Sequence, residues 1–264
     1  MLEAAVIFLG IGVLSGVMAG LLGIGGGLII VPLLGYFFKY IHIDTSVIMH
    51  LAVGTSLAAV AITAVSSTRA HHKKGTVKWE IWKRLIPGLI AGSVVGSLIA
   101  EKLDTSTLTN FFAGFELLVA LYLAVGKTPQ ADPTEPNTLV ILGATFLIGV
   151  ICAFAGVGGG IMIVPFLVWQ GLTMKEAVST SAAAGLPIAL TGSIGFAFTG
   201  LTHTDSLPEL TLGFIYLPAF IGIGVASILS APSGAKLAHA LPNSVLKKVF
   251  SIFLVGISIV MFLE

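Results

Sequence analysis

The chain has 264 residues, of which 56% are hydrophobic and only 9% charged, with a mean hydropathy of +1.06. A soluble domain carries about 25% charged residues, so this composition excludes one and makes most of the chain face lipid or other membrane helices. The net charge of +1 provides no field for nucleic acid, and the single cysteine, Cys152, excludes an intrachain disulfide and a cysteine metal cluster.

The apolar segments run, in chain order, over 4–22, 28–38, 47–66, 84–101 and 108–125, then 138–155, 161–171, 177–199, 210–231 and 246–263. The first is not read as a signal peptide, because it lacks a basic leading region and has a partner in mid-chain. A full span needs about 20 residues, and the second segment of each set is too short. The polar, proline-rich stretch 127–137 (KTPQADPTEPN) reads as a cytoplasmic linker between repeat 1 (1–126) and repeat 2 (138–264), which together form one transport domain.

The two sets are copies. Residues 16–34 (GVMAGLLGIGGGLIIVPLL) are restated by 149–167 (GVICAFAGVGGGIMIVPFL). Gly23, Gly25, Gly26, Gly27 and Pro32 recur as Gly156, Gly158, Gly159, Gly160 and Pro165. Further on, 49–58 aligns with 174–183, and Gly75 meets Gly200 at the same offset. Each half reads as a glycine-broken helical hairpin followed by three transmembrane helices. Broken helices are tolerated in a bilayer only where they are buried in protein or line a cavity, and paired breaks in two halves point to a transporter's binding site.

Lysine and arginine set the orientation. If each hairpin returns to its own side, each half makes an odd number of crossings and the halves are inverted. With 67–84 inside, Arg69, Lys73, Lys74, Lys78, Lys83, Arg84, Lys127, Lys175, Lys236, Lys247 and Lys248 are cytoplasmic, and only Lys39 and Lys102 lie outside. Parallel halves split the cations almost evenly. The expected fold is therefore an all-α polytopic membrane protein of two inverted repeats, both termini outside. The half-helices should start at Leu28 and Ile161 and their glycine tips should meet near the midplane.

A helix start offers free N–H groups and the positive end of its dipole, which together suit an anion. Gly25, Gly26 and Gly27 facing Gly158, Gly159 and Gly160 would make an anion site without a buried cation; the plainer alternative is that these glycines only permit close helix crossing. Thr55 and Ser56, matched by Thr180 and Ser181, add hydroxyl donors, although such groups also bond their own backbone. Thr63, Ser66, Thr191 and Ser193 are weaker candidates on the same helices. His50 and its counterpart Lys175 put a potentially cationic group at matched positions, for anion access or coupling. Glu116 is the only acid well inside a span, either a proton relay or a structural hydrogen-bonding group; its counterpart is Leu254. The basic run Arg69-Ala-His71-His72-Lys73-Lys74 reads as a topogenic loop. No Walker A lysine follows the glycine runs, and no HExxH or GxSxG occurs, so neither enzyme, metal site nor cofactor is expected.

The combination of GLLGIGGGLIIVPLL, HLAVGTSLAAV, STRAHHKKGTV, AGVGGGIMIVPFL and AVSTSAAAGLPIALTGSIGF resembles the sulfite exporter family of the TauE/SafE type, also called 4-toluene sulfonate uptake permeases. Ser179 departs from the pattern, since the first half has Gly54 there. The resemblance implies a multi-pass protein of the bacterial inner membrane that moves sulfur-containing anions such as sulfite, sulfoacetate or other organosulfonates. The resulting expectation is a secondary anion transporter working by alternating access, with H⁺ and Na⁺ the candidate coupling ions and the coupling itself left open. Its partners are the small anion and the bilayer, its oligomeric state is open, and no nucleic acid is involved. The rival readings are an anion channel and a non-transport membrane assembly factor.

Overall fold

The computed structural model describes residues 2–22, 25–125, 137–240 and 243–263. Ten α-helices occur among them: α1 (Leu2–Leu22), α2 (Gly27–Tyr40), α3 (Ile48–Lys73), α4 (Trp79–Ala100), α5 (Thr105–Val125), α6 (Thr138–Ala155), α7 (Gly160–Trp169), α8 (Met174–Gly200), α9 (Leu217–Ala240) and α10 (Asn243–Leu263). Seven of them, α1, α3, α4, α5, α6, α8 and the 217–234 part of α9, are long and apolar enough to cross a membrane. The protein is a multi-pass helical membrane protein. The helices α2 and α7, of 14 and 10 residues, are too short to cross. Gly23 and most of the 127–137 linker lie outside the described residues.

The helices begin and end where local chemistry dictates. Thr173 caps α8 in a reciprocal box with Glu176, whose side chain accepts the Thr173 N–H. Pro32 and Pro165 sit inside α2 and α7 and leave a carbonyl one turn back without its N–H. The short helices start at Gly27 and Gly160, one residue earlier than expected.

One expectation needs correction. The apolar segment 210–231 is not helical from its start: residues 211–216 form an antiparallel hairpin, β1 (Thr211–Leu212) with β2 (Ile215–Tyr216), and α9 begins only at Leu217. Gly213 turns the hairpin at φ 52° and lies against the Ala197 carbonyl. Pro208 and Pro218 further disfavour one continuous helix.

Packing interleaves the halves. The α1 helix runs parallel to α9, Gly12 facing Ile223 and Ala226 while Gly16 faces Ser227 and Ser230. The α4 helix runs parallel to α6, with Gly88, Gly92 and Gly96 set every fourth residue against Leu142–Ala153. Small residues at this spacing let two membrane helices approach closely without a hydrophobic driving force. At the centre α3 and α8 cross antiparallel: Gly54 meets Phe196, Gly192 meets Leu57, and Thr68 Oγ1 donates to the Ala182 carbonyl at 3.2 Å. The α5 and α10 helices are antiparallel as well. Ser258 Oγ donates to the Ala113 carbonyl at 2.8 Å, while Met261 and Phe262 share a cavity wall with Thr109 and Asn110. Among these, α3 is buried along most of its length. Exposed Val6, Leu118, Leu229 and Ile252 mark outer faces of α1, α5, α9 and α10, as lipid contact requires.

Candidate functional site

The same turn is built twice. Gly26 caps α2 at φ 77° and ψ −7°, and Gly159 caps α7 at φ 79° and ψ −8°. This left-handed conformation costs other residues about 1–2 kcal/mol, which is why glycine recurs at both caps. The Gly26 carbonyl accepts from Ile29 and Ile30 at 3.0 and 3.2 Å; the Gly159 carbonyl accepts from Met162 and Ile163 at 3.0 and 2.9 Å. Both tips therefore present a helix start of the same geometry.

The tips touch. A Cβ placed on Gly25 would lie 3.5 Å from the Gly158 backbone and 3.1 Å from Val60 Cγ1. One on Gly158 would lie 2.9 Å from Val60 Cγ1 and 3.7 Å from the Gly185 Cα. Around this contact is a cavity of about 10 Å³ lined by Ala19, Gly25, Val60, Thr63, Ala64, Ser67, Gly158, Ala182 and Gly185. Such a space holds at most one water, so the tips are closed on each other in this conformation.

Of the predicted residues, Gly25, Gly158 and the weaker candidate Thr63 line that cavity. Gly27 sits against the Gly156 carbonyl, and Gly26 against the backbone of Ser15. Gly160 opens α7 and is buried with the rest of its tip. Ser56 Oγ donates to the Gly156 carbonyl at 2.8 Å, fastening α3 to the second tip. Ser181 is equally buried, and its hydroxyl has no hydrogen-bond partner.

Thr55 and Thr180 serve as clasps between the halves. Thr55 Oγ1 accepts the Tyr216 N–H at 2.9 Å, just before α9. Thr180 Oγ1 accepts the Lys78 N–H at 3.0 Å, just before α4. Beside each clasp the chain makes a second contact. Ser179 Oγ is 2.7 Å from Thr76 Oγ1 and 3.1 Å from His71 Nδ1, and Gly54 lies against the Phe214 carbonyl. This explains the departure at Ser179, because a side chain at Gly54 would collide with that carbonyl. Lys78 is held a second time by Glu176, at 2.7 Å.

The candidates for access or coupling, His50, Lys175 and Glu116, are dispersed. His50 is buried, donates through Nε2 to the Ala100 carbonyl at 3.1 Å, and stacks on Phe214 with ring centroids 5.0 Å apart. Lys175 is exposed on the first turn of α8. Glu116 is fully buried on α5, and neither carboxyl oxygen has a hydrogen-bond partner. A charge at that position would have no partner among the described residues and would be costly.

Sequence reasoning missed Val60 and Gly185, which lie at matched positions and close the cavity from α3 and α8. It also missed the partners Thr76, Lys78, Phe214 and Tyr216. The Thr173–Glu176 capping pattern was a usable signal for the start of α8; nothing in the sequence paired Thr55 with Tyr216 across 161 positions.

A duplicated bundle with paired broken hairpins at its centre defines the class, a polytopic transporter-like membrane protein. Residues 8–261 match the profile of the sulfite exporter TauE/SafE family. A probable membrane transporter protein of Haemophilus influenzae is 36% identical over 255 residues, covering 96% of each chain. Another from Methanocaldococcus jannaschii is 32% identical, covering 84% of this chain and 79% of its own. The probable membrane transporter protein YunE of Bacillus subtilis is 29% identical, covering 78% of this chain and 82% of its own. No solved structure matches. The chain belongs to the sulfite exporter TauE/SafE family of membrane transporters.

Proposed function

We propose that this protein is a secondary transporter of sulfur-containing oxyanions, sulfite or an organosulfonate, working by alternating access between two inverted repeats. The observation that carries the reading is the contact of Gly25 with Gly158 at the centre of the bundle. Two helix starts converge there with no lysine or arginine among the described residues that line the contact, and a dipole-based site suits an anion that must also be released. The spare hydroxyl of buried Ser181 is a donor in want of an acceptor. The antiparallel crossing of α3 with α8, and of α5 with α10, supports inversion, because equivalent helices of parallel halves would run the same way.

Both threonine clasps are made at once and the cavity is small, so this conformation is occluded. Opening toward one side requires one clasp to part. Anion binding requires the tips or Val60 to move. Glu116, buried without a partner, is the candidate for proton coupling. The inner membrane is the expected location, with both termini outside and the α3–α4 loop inside by the distribution of cations.

The test is flux of radiolabelled sulfite or sulfoacetate into proteoliposomes with and without an imposed pH gradient. Saturable, gradient-dependent flux supports a coupled carrier. Flux that does not saturate indicates a channel, and no flux of any sulfur oxyanion from folded protein removes the substrate assignment.

A further inference from the structure

A groove of about 470 Å³ lies between the last turns of α3 and the middle of α9. Its floor is apolar: Ile62 and Val65 from α3 and Ile228 from α9. Its polar end consists of Ser66, Arg69 and Lys73. These α3 residues recur every three or four positions and so share one helix face. Arg69 and Lys73 are exposed, and among the described residues neither pairs with a carboxylate, whereas Lys78 pairs with Glu176 and Lys83 with Glu80.

The level of this groove is that of the membrane surface. The α3 helix is a spanning helix that ends at Lys73, and α4 begins at Trp79 after a short loop. Trp79 and Trp82 meet edge to face at 5.1 Å at that end, as aromatic anchors do at headgroup depth. On α9, which supplies Ile228 to the groove, Val225 and Leu229 are exposed. The groove is also separate from the tip cavity. Thr63 lines the tip cavity, and its hydroxyl meets Ser227 at 2.7 Å across the α3–α9 seam, while the adjacent Ile62 and Ile228 face the groove.

We propose that this groove binds an anionic phospholipid, its phosphate held by Arg69 and Lys73 and one acyl chain lying on Ile62, Val65 and Ile228. Two unpaired cations above an apolar floor are complementary to a lipid with a negative head and a hydrocarbon tail. A basic pocket between spanning helices at the membrane surface is where such headgroups bind. A free oxyanion would use the cations and leave the apolar floor without a partner. A guanidinium also grips a phosphate in bidentate fashion, which an ammonium does not. The inference does not depend on the identity of the transported anion or on the coupling ion.

The experiment is native mass spectrometry of the full-length protein in detergent, with equimolar phosphatidylglycerol and phosphatidylethanolamine. The wild type should retain phosphatidylglycerol preferentially. The Arg69→Gln, Lys73→Gln double variant should lose that preference by about tenfold. A Lys102→Gln variant, altered at the other end of the bundle, should keep it. The altered side chains are exposed, so an unchanged melting temperature will show that the double variant is folded. Equal retention of the two lipids by the wild type, or undiminished preference in the double variant, would overturn the proposal. Displacement of the lipid by millimolar inorganic phosphate, but not by chloride of equal ionic strength, would also overturn it by making the cations a site for a free oxyanion.

Discussion

The hydroxyl of Thr55 accepts the backbone N–H of Tyr216 at 2.9 Å, and so ties the central helix of the first half to the start of α9 in the second. Thr180 does the converse, accepting the N–H of Lys78 ahead of α4. At each of the two opposite ends of the antiparallel α3–α8 pair, a buried threonine oxygen of one half thus binds a backbone N–H of the other. A clasp of this kind contributes about 1 kcal/mol net, weak enough to be broken during a transport cycle.

Replacement of Thr180 by valine removes the acceptor and leaves the Lys78 N–H in need of another. The expected outcome is a loss of about 1–2 kcal/mol in stability. A cysteine placed at Ala182 should also react faster with a membrane-impermeant reagent added from the α3–α4 loop side. Thr180→Ser keeps the oxygen and should restore wild-type labelling. Equal labelling in all three proteins would remove the clasp from the gating account. Thr55→Val should show the mirror-image effect from the α8–α9 side.

Alanine at Gly26 or Gly159 should destabilise the protein by at least about 1–2 kcal/mol, from positive φ alone. Contacts add to this: a Cβ on Gly26 would sit 2.8 Å from the Ser15 carbonyl oxygen, and one on Gly159 2.7 Å from Ile188 Cδ1. Thermal unfolding in detergent measures the effect. Unchanged melting in both variants would show that the tips adopt another conformation. These two glycines are therefore poor probes of the anion itself, because misfolding and site loss coincide there.

Glu116→Gln keeps the volume of the side chain and removes its capacity to ionise. The expected outcome is unchanged folding with loss of gradient-driven flux, read as uptake with and without an inward-acid pH gradient. Retained gradient dependence would make Glu116 a structural residue.

Much of this architecture was legible because it is written twice. The restated glycine run with its proline located both hairpins to within one residue, since few residues other than glycine adopt the cap conformation of Gly26 and Gly159. Hydropathy gave the spans for the reason that lipid tolerates few charges. The roles of Thr55 and Thr180 were not legible, because a threonine near a helix start reads the same whether it faces a ligand, its own turn or a distant N–H. The hairpin at 211–216 was hidden by its apolar composition, which continues into α9. Glu116 was recognisable as anomalous, but its lack of partners is a property of the packed bundle.

The central claim is that the anion occupies the space where the two tips meet Val60. Its most direct test is equilibrium binding of labelled sulfite or sulfoacetate to the purified protein, comparing wild type with Val60→Leu. One extra methylene in this closed space costs about 1–3 kcal/mol where it must be shared with a ligand, so the account predicts at least about tenfold weaker binding. A melting temperature near that of the wild type would exclude a folding defect. Wild-type affinity in a folded Val60→Leu protein would contradict the claim and place the anion elsewhere.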